Sequence, residues 1–300
     1  MNNNLLSIII VTFNNEEYIT ECLNSLQNIH INNEIIVIDN NSTDHTLYKV
    51  RKFKKELSNY NITLIKNKTN RGFAQAVNQG LVRSKGNFIC LLGSDCSILK
   101  NSMESLTQYL NNNPETGIVA PRLINKQGET LLSCRRLPTI GDVILELTGF
   151  PKLFPKRIKP RWKNIHLDHN TPTAVEQPEA SCIMTHRRAL NHIGLMDERF
   201  TIFFNDVDWC RRFLENGYTI IFVPQAKVIH HKGGSIYKNR IPMIWKSHQG
   251  FYKYFMKYSQ NNSQKLFMQI IGFVLIFTAV LRSILYIISE PFFKKSRNLK

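Results

Sequence analysis

The sequence predicts an α/β fold: an open, mostly parallel sheet with flanking helices and an apolar helical tail. Three observations carry that expectation. Short apolar, β-branched runs recur through the first hundred residues, among them SIIIV at 7–11, EIIVI at 34–38 and ITLI at 62–65. Segments with helical spacing of apolar residues separate these runs. The runs are continuous, the pattern of strands covered on both faces in a parallel sheet.

Taken in order, SIIIV leads through TFNNEE to Ile19, Cys22, Leu23 and Leu26 at helical spacing, giving strand, loop and helix. The run 34–38 ends in DNNSTD, where Ser42 or Thr43 can cap the next helix. After the strand at 62–65, Ala74, Val77 and Leu81 mark one face of a helix in NKTNRGFAQAVNQGL, and residues 88–92 open a further strand. Residues 101–113 read as a polar-faced helix. The segment 121–175 reads as irregular; its stretch PKLFPKRIKPRWK holds six positive charges in thirteen residues, a mobile basic loop or a membrane-facing patch. A strand is expected within 180–190, leading into a helix near RRAL. Val207, Cys210 and Leu214 then follow helical spacing up to the stop signal Asn216-Gly217. TIIFVP and KVIHHKGGS are expected as two more strands. Finally, residues 266–289 (LFMQIIGFVLIFTAVLRSILYIIS) are long enough to cross a bilayer, although Gln269 and Arg282 interrupt them and basic residues flank both ends. An interfacial or re-entrant helix pair, a true span and a buried helix all fit that pattern.

Composition bounds the function. The 300 residues, 43% hydrophobic, suffice for one large or two modest domains. With 39 basic and 22 acidic residues, the net charge of +17 favours anionic partners: nucleotides, lipid headgroups or nucleic acid. No nucleic-acid motif is present, and the basic residues do not interleave with an aromatic ladder, which argues against the last. Six scattered cysteines, without a C-x-x-C pair or zinc spacing, suggest a reduced, cytosolic chain. The N-terminal MNNNLLSIIIVTFNNEEY lacks a basic n-region and a cleavage site, so it reads as a strand and not a secretory signal.

In open α/β sheets ligands bind beyond the carboxyl ends of the strands, where Thr12, Asn14, Asp39 and Asp95 all fall. Asp39 can accept from a nucleobase or ribose, or organise a turn with Ser42 and Asp44. Arg71, beside Gly72, can hold a phosphate or lie solvated. Asp95 can serve a divalent cation that takes its other oxygens from phosphate and water, or cap a turn. In FFNDVDWCRRF, Asp206 and Asp208 sit where a helix dipole favours carboxylates; an ionised carboxylate there is a general base or part of a cap. The His-His pair of VIHHKGGS offers imidazoles for a metal or a diphosphate.

Together these pieces resemble the family 2 glycosyltransferases of the GT-A fold, particularly bacterial rhamnosyltransferase-like members. The resemblance covers about residues 5–255 and rests on SIIIVTFN, VIDNNSTD, NRGFAQAVNQG, LLGSDCSIL, ASCIMTHRRAL, GLMDERFTIFFNDVDWCRRFLENGY and HHKGGS in that order. It implies a nucleotide-sugar-binding half at 1–120 and an acceptor and catalytic half at 121–255; the apolar run and the basic loop, apart from the resemblance, give the expectation of a membrane-associating tail at 256–300. By position it implies that Thr12, Asn14, Asp39, Asp44 and Arg71 bind the donor nucleotide. Asp95 and His231 would hold Mg²⁺ or Mn²⁺, and Asp206 would be the catalytic base of an inverting transfer. Gly93-Ser94-Asp95 stands where the family commonly has Asn-Pro-Asp or Asp-x-Asp, and Asn205-Asp206 where it commonly has Glu-Asp. The implied donor is dTDP-rhamnose, with UDP-sugars next. The implied acceptor is a saccharide or lipid-linked saccharide for cell-surface polysaccharide, met at the anionic inner face of the cell membrane. A nucleotide-sugar-binding scaffold without transfer is the competing reading.

Overall fold

The structure, a computed structural model, describes residues 4–56, 60–142, 145, 168–231 and 240–297. The chain forms two compact units, one of residues 1–138, 161–201 and 205–235, the other of 139–160, 202–204 and 236–300.

In the first unit, β1 (Leu6–Thr12) lies parallel to both β2 (Asn33–Asp39) and β4 (Phe88–Gly93), and β3 (Ile62–Lys66) lies parallel on the far side of β2. Past β4 the order continues through β10 (Cys182–His186), β6 (Thr116–Ile124), β11 (Thr219–His230) and β5 (Cys96–Ile98). Strand β10 is antiparallel to both neighbours, and β11 runs parallel to β6 but antiparallel to β5. With β8 (Thr173–Ala174) on β11, the sheet has nine strands among the described residues. A separate ribbon pairs β7 (Cys134–Arg135) with β9 (Gln177–Pro178). The expected open, mostly parallel character therefore holds for the first four strands, and the second half is mixed.

Both faces are covered, which is why the early strands are apolar throughout. On one face Ile8, Ile10 and Val37 pack with Cys22 and Leu23 of α1 (Ile19–Ser25) and Leu106 and Leu110 of α4 (Ser102–Asn112). On the other, Ile9, Ile36 and Ile38 pack with Ala74, Val77 and Leu81 of α3 (Phe73–Arg83) and Trp209 and Phe213 of α6 (Asn205–Glu215). Each such aliphatic side chain contributes about 1.5–3 kcal/mol on burial. Helix α2 (Thr46–Glu56) follows β2, and α5 (Arg187–Ile193) follows β10.

Two sequence expectations are corrected. Residues 116–124 form a central strand, although the segment from 121 was expected to be irregular; Gly117 and Pro121 within TGIVAPRLI obscured it. Pro121 is tolerated because it sits where the ladder shifts register and a missing N–H costs least. TIIFVP and KVIHH are one strand, not two: β11 pairs Val223 with Pro121 and Lys227 with Arg122, so residues 224–226 form a bulge. Ile221 and Val223 precede the bulge on the α1/α4 face, whereas Ala226, the last residue of the bulge, and Val228 beyond it occupy that face. The bulge thus reverses which parity of residue points to each side. The basic stretch 152–163 and residues 232–235 lie outside the described residues.

The second unit contains α7 (Arg240–Lys257) and α8 (Asn262–Arg297). Met268, Ile271 and Leu275 of α8 pack against Phe251, Tyr252, Phe255 and Met256 of α7. Residues Asn262–Ile288 form an apolar stretch of 27 residues, within which an 18-residue window has mean hydropathy 2.3 and is 22% buried. Leu266, Phe273, Phe277, Ile284 and Ile288 are exposed along it. The expected tail is therefore a continuous helix whose apolar surface is mostly uncovered, and neither a broken helix pair nor a core helix.

Close packing of α3 on β1 depends on Gly80, where an added Cβ would lie 2.5 Å from Cγ2 of Ile9 and 3.1 Å from Cδ1 of Ile38. Gly80→Val should lower stability by about 1–3 kcal/mol through overpacking, read as a reduced denaturation midpoint.

Candidate functional site

The ladder sets the site. Register aligns Thr12 with Asp39 across β1 and β2, and Val11 with Gly93 across β1 and β4, so three strands deliver their following loops to one edge. Thr12 and Asp39 are fully buried there. The Asp39 carboxylate accepts from Ser42 N at 3.2 and 3.4 Å, which fixes the turn after β2. The Thr12 hydroxyl is buried with no hydrogen-bond partner among the described residues. Asn14, at φ 48°, accepts through Oδ1 from Thr43 N at 2.8 Å, and its own N–H donates to Ser42 Oγ at 3.0 Å. Asp44 accepts from Glu16 N at 3.1 Å and Thr46 N at 3.0 Å. Burial acts to raise its carboxyl pKa, but hydrogen bonds from Thr46 and Glu16 outweigh that and hold it below the ordinary value. Asn14, Asp39 and Asp44 thus form one bonded loop cluster, which Thr12 joins through its carbonyl, accepting from Asn40 N at 2.8 Å. A further bond joins the β1 and β4 loops, from Asn15 Nδ2 to Ser94 Oγ at 2.7 Å.

Arg71 stands apart from this cluster. Its backbone N–H donates to Asn40 Oδ1 at 3.0 Å, while its side chain is exposed and lines a groove of about 560 Å³ with Gln75, Gln79 and Glu198. None of the other candidate residues lines that groove.

Asp95 follows β4 and meets the end of β11. Its Oδ2 lies 3.3 Å from Nε2 of His230, while its backbone carbonyl accepts from His231 N at 3.0 Å. The imidazole facing the carboxylate is therefore that of His230, and His231 approaches through its main chain. The His231 ring stacks on Tyr18 at 5.0 Å and 8°, with Nε2 3.3 Å from Ser97 Oγ and 3.4 Å from Glu21 Oε1. Burial pushes its pKa down.

Asp95, Cys96 and His230 each place a ligand atom within 4.8 Å of the others. Burial, reinforced by the Asp95 charge, raises the Cys96 thiol well above its ordinary pKa, and a hard cation such as Mn²⁺ or Mg²⁺ prefers oxygen and imidazole donors to a thiol. The usable donors are a carboxylate and an imidazole, a set that fits Mn²⁺ or Mg²⁺ completed by phosphate oxygens and water. All six cysteines are free and buried, consistent with a thiol role confined to packing.

Asp206 occupies the first turn of α6. Gln177 Nε2 donates to its Oδ2 at 3.0 Å, and its Oδ1 accepts from Val207 N at 2.9 Å. Burial raises its pKa above the usual Asp value, and the Val207 hydrogen bond and the Arg135 charge partly offset this. Asp208, which the sequence grouped with it, is fully buried and paired with Arg212 Nε at 3.1 Å. Asn205 Oδ1 accepts from Asp206 N at 2.7 Å.

Four residues that the sequence reading did not single out individually complete the edge: Gln177, Arg135, Glu179 and His230. Arg135 Nη2 and Glu179 Oε1 are 2.9 Å apart, and Glu179 Oε2 lies 4.0 Å from His230 Nδ1. The one signal in the sequence was Glu179 itself, a carboxylate three residues before the apolar strand β10. Nothing local marked Arg135 among so many basic residues.

The family model for glycosyl transferase family 2 matches residues 7–194, and the chain belongs to that family. Its fold is of the GT-A type, as in the mannosyltransferase PcManGT from Pyrobaculum calidifontis solved with GDP-Man and Mn²⁺ (TM-score 0.58, 17% identity, 98% of this chain and 79% of that one). GalNAc-T7, solved with UDP, GalNAc and Mn²⁺, is similar at TM-score 0.56 and 15% identity, over 89% of this chain and 54% of that one. Among curated relatives, a Methanococcus voltae dolichyl N-acetyl-alpha-D-glucosaminyl phosphate 3-beta-D-2,3-diacetamido-2,3-dideoxy-beta-D-glucuronosyltransferase is 33% identical over 43% of this chain and 41% of its own length. The N-acetylglucosaminyl-diphospho-decaprenol L-rhamnosyltransferase of Mycobacterium tuberculosis is 23% identical over 73% of each chain. The match thus spans less than half of the first relative and about three quarters of the second.

Proposed function

We propose that the chain transfers a sugar, with inversion, from a nucleoside diphosphate donor to a hydroxyl of a saccharide or lipid-linked saccharide. The observation that carries this reading is Asp206, a carboxylate held by Gln177 at the carboxyl edge of the sheet, with Arg135 and Glu179 among the charges that act on it. Asp206 takes the proton of the acceptor hydroxyl as that oxygen bonds to the anomeric carbon. The bond from that carbon to the diphosphate oxygen breaks on the opposite face, and its electron pair leaves with the nucleoside diphosphate. Thr12, Asn14, Asp39 and Asp44 bind the donor nucleotide: the unpartnered Thr12 hydroxyl offers a hydrogen bond, and the cross-bonded loop holds the others in place. Arg71 answers the donor from the groove side. Asp95 and His230 hold the divalent cation, with His231 bracing Asp95 through the main chain. Bound there, Mg²⁺ or Mn²⁺ neutralises charge on the departing diphosphate.

Rhamnose from dTDP-rhamnose is the favoured donor group, supported by the mycobacterial relative, with UDP-sugars next. A lipid-linked acceptor is supported by the dolichyl and decaprenol carriers in the names of two relatives. We assign residues 1–120 to donor binding, 121–255 to acceptor and catalysis, and 256–300 to attachment at the cytoplasmic membrane face. Support for attachment comes from the apolar stretch Asn262–Ile288, about 40 Å long at 1.5 Å per residue.

Asp206→Asn should lower kcat by roughly 10²–10⁴-fold. Because burial raises the Asp206 pKa, the base form is lost as pH falls through a value above that of an ordinary Asp. The acid limb of the kcat/KM profile should therefore lie at higher pH than 3.8 and disappear from the residual activity of Asp206→Asn. In a thermal-shift panel with and without Mn²⁺, dTDP-rhamnose should give the largest rise; a ligand at a hundred times its Kd adds about 2.7 kcal/mol. A nucleotide-sugar that binds without any transfer would instead favour the scaffold reading. Co-sedimentation of the full chain with anionic vesicles should drop at least tenfold on combining Phe273→Glu with Phe277→Glu, since each buried Phe contributes about 1.5–3 kcal/mol.

A further inference from the structure

We propose that Glu179 is a positioning residue that holds the His230 imidazole in its cation-binding tautomer, and that Arg135 ties this carboxylate to the base end of the site. The inference rests on reading Asp95 and His230 as cation ligands. Nε2 of His230 points at Asp95, 3.3 Å from Oδ2, so it is the nitrogen available to a shared cation. An imidazole that gives the Nε2 lone pair to a metal carries its proton on Nδ1. Among the described residues Nδ1 of His230 is buried without a hydrogen-bond partner, and the carboxylate in range is Glu179, with Oε2 at 4.0 Å. That separation is too long for a hydrogen bond, but it is short enough for the carboxylate charge to favour a proton on Nδ1.

Glu179 is itself fixed from two directions. Its backbone N–H donates to Ser133 O at 2.8 Å, and its Oε1 receives Arg135 Nη2 at 2.9 Å. Both charges of this pair also act on Asp206, Arg135 favouring its ionised form and Glu179 opposing it. One ion pair therefore faces the cation end through His230 and acts by charge on the proton-accepting end at Asp206, with opposite signs there.

The test compares full-length wild type, Glu179→Gln, Glu179→Asp and Arg135→Gln, with His230→Gln as the reference for a lost ligand. Mn²⁺ binding in the presence of a nucleoside diphosphate is titrated through the EPR signal of free Mn²⁺, and nucleoside diphosphate binding is measured separately in EDTA. Glu179→Gln should weaken Mn²⁺ binding about 10–100-fold while leaving nucleotide affinity in EDTA and the melting temperature unchanged. Glu179→Asp, which keeps the charge, should recover part of the affinity; Arg135→Gln, which keeps the carboxylate but frees it, should give an intermediate loss. Wild-type Mn²⁺ affinity in Glu179→Gln, alongside a loss in His230→Gln, overturns the role of Glu179 and leaves the cation reading standing. Absence of Mn²⁺ binding in wild type overturns both. A Glu179→Gln protein that melts early is decided by Arg135→Gln, in which unchanged Mn²⁺ affinity counts against the proposal.

Discussion

Everything at the functional edge depends on how the parallel ladder of β2, β1 and β4 is held in register. Because Ile9, Ile36 and Leu91 face one helical layer while Ile8, Val37 and Cys90 face the other, a slip of one residue would exchange the two sets. Both layers penalise that exchange, so the strands end at a common level. The loops after them therefore start from fixed points, and short bonds between loops, such as Asn15 to Ser94 and Asn14 to Thr43, suffice to shape that part of the edge.

The other side of the edge is built differently. Asp206 comes from the first turn of a helix, Gln177 and Arg135 from a two-stranded ribbon, and His230 from the last residue of a strand that pairs antiparallel with β5. Pairing of His230 with Cys96 brings the imidazole beside the preceding residue, Asp95. Charges here are few and committed: Arg135 to Glu179, Arg212 to Asp208, and Asp95 to His230. Burial then leaves Asp206 with a raised pKa. A carboxylate whose pKa is raised by burial accepts a proton more readily than an exposed one.

Legibility in the sequence followed the range of the interactions. Strands β1 to β4 and helices α1, α3 and α6 were readable because burial on both faces or on one stripe writes itself into local apolar spacing. Strand β6 was hidden by Gly117 and Pro121, whose tolerance depends on a register shift in a partner a hundred residues away. Asp39, Asp95 and Asp206 were visible as carboxylates at element ends. The choice between His230 and His231 was not, since adjacent residues of a strand point to opposite sides and the phase of β11 is set by its bulge. Glu179 and Arg135 matter only through each other and through groups distant in sequence, so no local pattern carries them.

That bulge has a consequence for how chain length can vary. Residues 224–226 act as a phase shifter between the packed half of β11 and its terminal imidazoles. Removing or adding one residue there would leave the hydrophobic half undisturbed yet turn His230 to the far side of the sheet, exchanging its place with a neighbour. Removing two would restore the side. Length change in this short segment is thus counted in even steps, a rule that belongs to the geometry of an extended chain and to no particular side chain within it.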